Sequence, residues 1–358
     1  MEHSGRGRSG VLRGTGAGAM LDTDVFVIGG GPAGLVAAIA ARQKGLRVTV
    51  ADGSHPPIDK ACGEGLMPDS IAAAARIGIH LPEHAGYRFR GIRFHGEGRQ
   101  VEADFPNGHG LAFRRTVLHA ELAAQAADAG VELRWNTPVM GIEEIKSRWI
   151  VGADGLSSRV RRWAGLDRFA RKSVRFAYRR HYAVKPWTEF VEIYWGDACQ
   201  IYVTPVAPAE VTLALISHSP DLRLNLALHK FPILQARLEG AAATGRERGA
   251  TTANARLKAV TRGNVALIGD ASGSVDAITG EGLCLAFHQA AALAEAMAAG
   301  DLCTYAKKHR QFARRPSIMA DLMLTMDRWT WVRRRALSVF SAMPAGFARI
   351  LALHVNTL

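Results

Sequence analysis

The sequence predicts an α/β protein: a doubly wound, Rossmann-like layer for a dinucleotide, an inserted antiparallel sheet, and a helical C-terminal region. Three observations carry that prediction. Residues 24–28 are short, apolar and β-rich, and they run into Gly29-Gly30-Gly31-Pro32-Ala33-Gly34. A helix over 33–44 and a strand over 47–51 follow, the strand ending at Asp52. Strand, glycine turn, helix, strand and acid in this order form a dinucleotide fingerprint. From 174 to 218 the pattern becomes β, and the last sixty residues carry helical periodicity.

Each part of the fingerprint has a physical task. Gly29 permits the tight turn, Gly31 lets backbone approach a pyrophosphate, and Gly34 lets the helix lie close on the strand. Pro32 sits in the first helical turn, where its missing donor costs little. With Ala33 it opens a helix whose free N–H groups and dipole suit a diphosphate. Asp52 is placed for a ribose hydroxyl pair.

The remaining elements follow in order. A loop over 53–65 precedes a helix over 69–76. Tyr87, Phe89, Phe94, Val101, Ala103 and Phe105 alternate with polar residues around Gly96 and Gly98, as antiparallel strands do. Leu118, Leu122 and Ala126 mark a helix over 116–129, ended by Gly130. Residues 131–135 and 149–151 read as strands of the first sheet, the second running into Gly152-Ala-Asp-Gly155. Strands over 190–194, 200–203 and 211–216 make the inserted sheet, a substrate-pocket floor. Residues 222–238 read as mostly helical, with Pro232 near the middle. A strand over 265–268 leads into Gly269-Asp270, and a helix fills 283–299.

Composition narrows the class. The chain has 358 residues, 48% hydrophobic and 22% charged, as globular proteins do. No apolar stretch reaches the roughly 18 residues needed to span a bilayer. Residues 1–20 read as a disordered extension without an export signal, with Met20 as a candidate natural start. Cys62, Cys199, Cys284 and Cys303 are far apart, which argues against a zinc site or disulfide framework and for a reducing, cytoplasmic setting. The net charge of +13 suits phosphorylated cofactors, anionic lipid or nucleic acid, although a solvated basic surface is the plainer reading.

Two further loops carry chemistry. Asp270 ends a strand where a carboxylate can accept hydrogen bonds from a polyol, and Thr279-Gly280-Glu281-Gly282 opens the helix beginning at Leu283. Asp154-Gly155 with Ser157-Ser158-Arg159 is another strand-end loop, although such an aspartate is often only a cap.

Together with the glycine turn, these segments resemble the FAD-dependent monooxygenase superfamily of the aromatic-hydroxylase type. Lys60-Ala-Cys-Gly-Glu-Gly-Leu-Met-Pro68 and Thr279-Gly-Glu-Gly282 resemble its geranylgeranyl-reductase-like branch. The resemblance covers residues 22–300 and implies an FAD-binding domain over 21–165 and 255–300, a substrate-pocket β-sheet domain over 166–254, and a helical region over 301–358. It implies that Gly269 and Asp270 meet the ribitol and that 280–283 line the isoalloxazine. Arg115 matches the arginine opening the helix beside the cofactor, Val139 a strand-end residue near adenine, and Asp154 a loop serving FAD and NAD(P)H. The W-x-W-x-I-P signature of flavin halogenases is missing.

The leading expectation is NAD(P)H-driven hydroxylation of a large apolar or aromatic substrate such as a polyketide. The alternative is isoprenoid double-bond reduction, with Cys62 as the candidate proton source; Cys62 reads equally well as a space-filling residue. A third reading is a non-enzymatic redox sensor; nucleic-acid binding and a metal site are not expected. Glu64 reads as tuning its loop or facing water, and is not favoured as a base. Tyr182, Tyr194, Tyr202, His181 and His218 are candidate pocket groups, with Glu192 and Gln200 sharing faces with Tyr194 and Tyr202. The tail from Trp329 to Leu351 is aromatic, basic and apolar. It suits packing on its own domain or peripheral contact with an anionic membrane.

Overall fold

A computed structural model describes residues 23–355, with backbone alone for 169–173; the extension over 1–20 lies outside the described residues. A six-stranded sheet runs in the order Thr261–Arg262, Val265–Leu267, Trp149–Gly152, Val25–Ile28, Val48–Ala51, Glu132–Arg134. Its neighbours pair in parallel except at the Thr261–Arg262 edge. The central strands are apolar along their whole length because helices cover them. Helices Pro32–Gln43 and Gly282–Ala299 pack together there, alanine-rich enough for close approach.

Gly282–Ala299 corrects the expectation that no stretch reaches spanning length: by length and composition it could cross a membrane, yet most of it is buried in this core. Gly300 ends it in the left-handed region, at φ 79°.

The second sheet has nine strands and is larger than the sequence suggests. Its centre is Phe169–Ala183, Glu210–Ser217, Cys199–Ala207 and Phe190–Gly196. Gly91–Gly96 and Arg99–Asp104, from within the 21–165 stretch, extend it at one side as an antiparallel hairpin. At the other side lies Arg248–Leu257, whose ten residues pair antiparallel with Phe169–Ala183 across a register shift between Arg171 and Ser173. That strand was missed because its apolar alternation, Ala253, Ala255 and Leu257, is short and mostly alanine, after a start of Arg, Gly, Ala and Thr. The segment over 222–238 splits into Leu224–Leu228 and Pro232–Arg237, because Pro232 holds Phe231 outside the helical region. Three helices complete the described chain: Leu302–Arg328, Thr330–Ala342 and Pro344–Val355.

Candidate functional site

A cavity of about 740 Å³ lies between the two sheets and reaches the C-terminal helices. Its floor is the carboxyl edge of the parallel sheet. Gly29, Asp52, Asp154 and Asp270 each stand just past the end of a different strand, and all four line it. Pro32, Ala33, Cys62, Arg115, Val139, Gly269, Gly280, Gly282 and Leu283 line it as well, as does Gly31. Gly34 and Glu281 do not.

Gly34 serves packing: a Cβ there would stand 1.9 Å from the Gly29 carbonyl oxygen. Gly29 has φ 112°, and a Cβ on it would meet the Ala153 oxygen at 2.4 Å. Gly31, Gly280 and Gly282 differ in kind. A Cβ on any of them would meet no protein atom within 4 Å, so they border open space inside the cavity.

Glu281 corrects the expectation of a lining residue. Its carboxyl is buried behind the wall, one oxygen without a partner, with His354 Nδ1 3.6 Å from the other. Burial, then the charge of Asp69, pushes its pKa up to about 8.

Several aspartates are already committed. Asp52 accepts from the Gly30 and Ser54 amides, both at 2.7 Å, and so fixes the glycine turn. Asp154 accepts from the Arg159 amide at 2.6 Å and the Val160 amide at 3.1 Å, capping Arg159–Trp163. The cap that the sequence allowed for is present, and the carboxylate still borders the cavity. Asp270 pairs with Lys60 at 3.0 Å, both half-exposed. Arg115 has a buried Nε with no partner on the cavity wall.

The loop around Cys62 is anchored by Glu64, the first of the two roles the sequence allowed it; it does not face water. Glu64 has φ 63° and is almost wholly buried. Its carboxylate accepts from the Arg115 amide at 2.8 Å and from Thr212, and lies 2.7 Å from His181 Nε2. Arg179 contacts His181 at 3.0 Å and pairs with Asp59, closing a buried polar chain. The Glu64 amide donates to Cys62 Sγ at 3.4 Å.

His119 was also missed, although it follows Arg115 by one helical turn. It reaches the Gly30 carbonyl at 2.8 Å, and burial pushes its pKa down, so it donates as the neutral ring. Behind the Thr279–Gly282 loop, buried Arg175 joins Asp276 and Gln200, and Gln200 joins Asp327. Asp276 in turn caps Ala277–Thr279 through the Ile278 amide. Polar residues scattered over 150 positions gave no local signal.

Of the pocket candidates, Tyr202 lines the cavity and donates to the Ile278 carbonyl at 2.7 Å. His181 acts through Glu64, His218 contacts Asp327 at 2.8 Å, and Tyr182 is buried away from the cavity. Tyr194 faces the wrong way: Val191 and Ile193 line the cavity, while Glu192 and Tyr194 occupy the opposite face. There Glu192 is held by Arg93 at 2.9 Å, Trp187 at 2.8 Å and Arg237 at 3.2 Å. Burial alone would raise its pKa; hydrogen bonds, led by that from His95, outweigh burial and hold it at about 2.

The cavity therefore offers bare backbone at two glycine loops, an unpaired guanidinium nitrogen and strand-end carboxylates on one edge. An extended dinucleotide needs that set. Residues 22–205 match the FAD binding domain family. The menaquinone reductase of Mycobacterium tuberculosis is 29% identical over 320 residues, covering 78% of this chain and 77% of that protein. A digeranylgeranylglycerophospholipid reductase of Methanothermobacter thermautotrophicus is 27% identical, covering 73% of each. The flavin-dependent brominase Bmp2 has the same fold, with a TM-score of 0.80, 20% identity and 94% of each chain covered.

Proposed function

Since the chain belongs to the FAD binding domain family and is an FAD-dependent oxidoreductase, we propose that it reduces a carbon–carbon double bond in a long isoprenoid-class substrate. Bound FAD, itself reduced by NAD(P)H, supplies the electron pair that saturates the bond. In this proposal the glycine turn and Arg115 hold the diphosphate, Asp52 and Asp270 take the two sugar-like segments, and the 280–283 backbone borders the ring.

The observation that carries the proposal is the far arm of the cavity. Met319, Met323, Phe340, Phe347 and Leu351 line it, a surface for hydrocarbon. The names of the two reductase relatives point the same way, and so this reading precedes hydroxylation, which the sequence alone put first. Cys62 lies on the wall where a proton must be delivered. The Glu64 amide aimed at its sulfur compensates the charge left when the thiol gives that proton up. Glu64 itself is an acceptor for backbone, hydroxyl and imidazole, and it positions the loop.

The test is turnover of purified FAD-loaded protein with NAD(P)H and either a prenylated quinone or a geranylgeranyl lipid, read by mass spectrometry. Two hydrogens gained in the isoprenoid chain, retained after any quinol is reoxidised to quinone and gained without oxygen consumption, support the proposal; two hydrogens lost again on reoxidation would replace it with quinone-ring reduction. A product gaining one oxygen, with oxygen consumed, would replace it with hydroxylation.

A further inference from the structure

The outer surface of the C-terminal helices is the least water-adapted part of the described chain. Seven of its eleven exposed large apolar side chains fall between residues 318 and 353. Ile318 and Leu322 stand one turn apart on Leu302–Arg328, and Trp331 and Val339 share a face of Thr330–Ala342. Trp331 is 71% exposed and Leu353, on Pro344–Val355, 68%.

Basic residues are threaded among them at the same helical spacing. Arg335 stands between Trp331 and Val339, and Arg349 one turn before Leu353. Over 302–355 there are ten lysines and arginines against two aspartates; Asp327 is buried beside Arg175, Arg333 is buried on Glu97, and Lys308 and Arg334 pair with Glu295 and Glu97. An aromatic, apolar and cationic face of this kind matches the headgroup region of an anionic bilayer. Thr330–Ala342 and Pro344–Val355 are bent by 108° to one another, so they can lie along a surface.

The reverse side of the same helices is the cavity wall. Val332, Ala336 and Phe340, spaced one turn apart, line it directly beside the outer stripe of Trp331, Arg335 and Val339. Leu322 belongs to both surfaces, exposed and lining. We propose that this face docks on an anionic lipid bilayer and that the cavity opens onto it at Leu322. The apolar substrate then passes from bilayer to cavity without crossing water. Docking stands on the surface alone; only the passage of substrate rests on the isoprenoid reading.

The experiment is co-sedimentation of the full FAD-loaded chain with phosphatidylcholine vesicles, with and without phosphatidylglycerol. Binding should be at least tenfold stronger to the anionic vesicles and should weaken as salt is raised. Trp331→Ser with Val339→Glu should lower it at least tenfold while flavin content stays at the wild-type level, since neither residue lines the cavity. Arg335→Glu should remove the preference for phosphatidylglycerol. Absence of vesicle binding overturns the proposal. So does concentration-dependent dimerisation that the double variant abolishes, because a second copy would then cover the face. No turnover is measured, so a protein that docks yet hydroxylates refutes only the reductase reading.

Discussion

Gly31 separates what the fold needs from what the ligand needs. Its backbone sits at φ −68°, ψ 174°, an extended conformation open to any residue, and a Cβ on it meets nothing within 4 Å. The folded protein has no use for a glycine there. Gly31→Ala should therefore stabilise the flavin-free protein by about 0.4–1 kcal/mol, because the unfolded chain loses freedom. In a scan this is a rise of about 0.5–1.5 °C. The added methyl enters the space that a diphosphate would take beside the helix start. Losing one hydrogen bond to a charged group costs about 1.5–3 kcal/mol, a loss of roughly 10–150-fold in FAD affinity. Gly34→Ala is the control, since its Cβ would collide with backbone at 1.9 Å. It should cost about 1–3 kcal/mol of stability before any ligand is added. Thermal scans of flavin-free protein and titration by flavin fluorescence give both quantities. If Gly31→Ala binds FAD as the wild type does, the glycine turn is not the diphosphate site.

Three other outcomes are expected. Glu192, held at about 2 against an ordinary value of 4.5 and wholly buried, contributes roughly 3 kcal/mol. That stabilisation is complete above about pH 4.5 and is lost as pH falls toward 2; denaturation of Glu192→Gln should show a flatter acid limb, and an unchanged limb would contradict the network. Glu281 has the opposite sign: its pKa is raised to about 8, so folding loses stability as pH climbs from 4.5 through 8. Glu281→Gln should remove that slope in urea titrations at pH 5 and pH 9. Cys62→Ala should keep wild-type flavin content and lose at least tenfold in kcat for double-bond reduction; wild-type kcat would make Cys62 a space-filling residue.

The cofactor half of the protein was legible because its signals are local. Gly29 to Gly34, Asp52, Asp154 and Asp270 each follow a strand that the apolar run announces, and the sheet brings them to one edge. Glu281 misled because a helix start exposes its backbone and its side chain in different directions. Glu64, Arg175 and Asp276 were illegible for another reason: their partners lie far off in the chain, and only the folded sheets bring them together. Tyr194 was placed on the wrong face because alternation says which residues share a side, not which side meets the cavity.

The far wall of the chamber has a consequence for biosynthesis. The glycines and aspartates at the strand-edge end of the cavity lie before residue 283, whereas the helical part of its apolar wall is drawn from 319–354, with Phe94, Val191 and Ile193 supplying sheet residues opposite. A ribosome thus completes the glycine-lined cleft before the helical wall of the chamber is translated. Maturation runs in one direction, from the strand-edge cleft to the helices that close it.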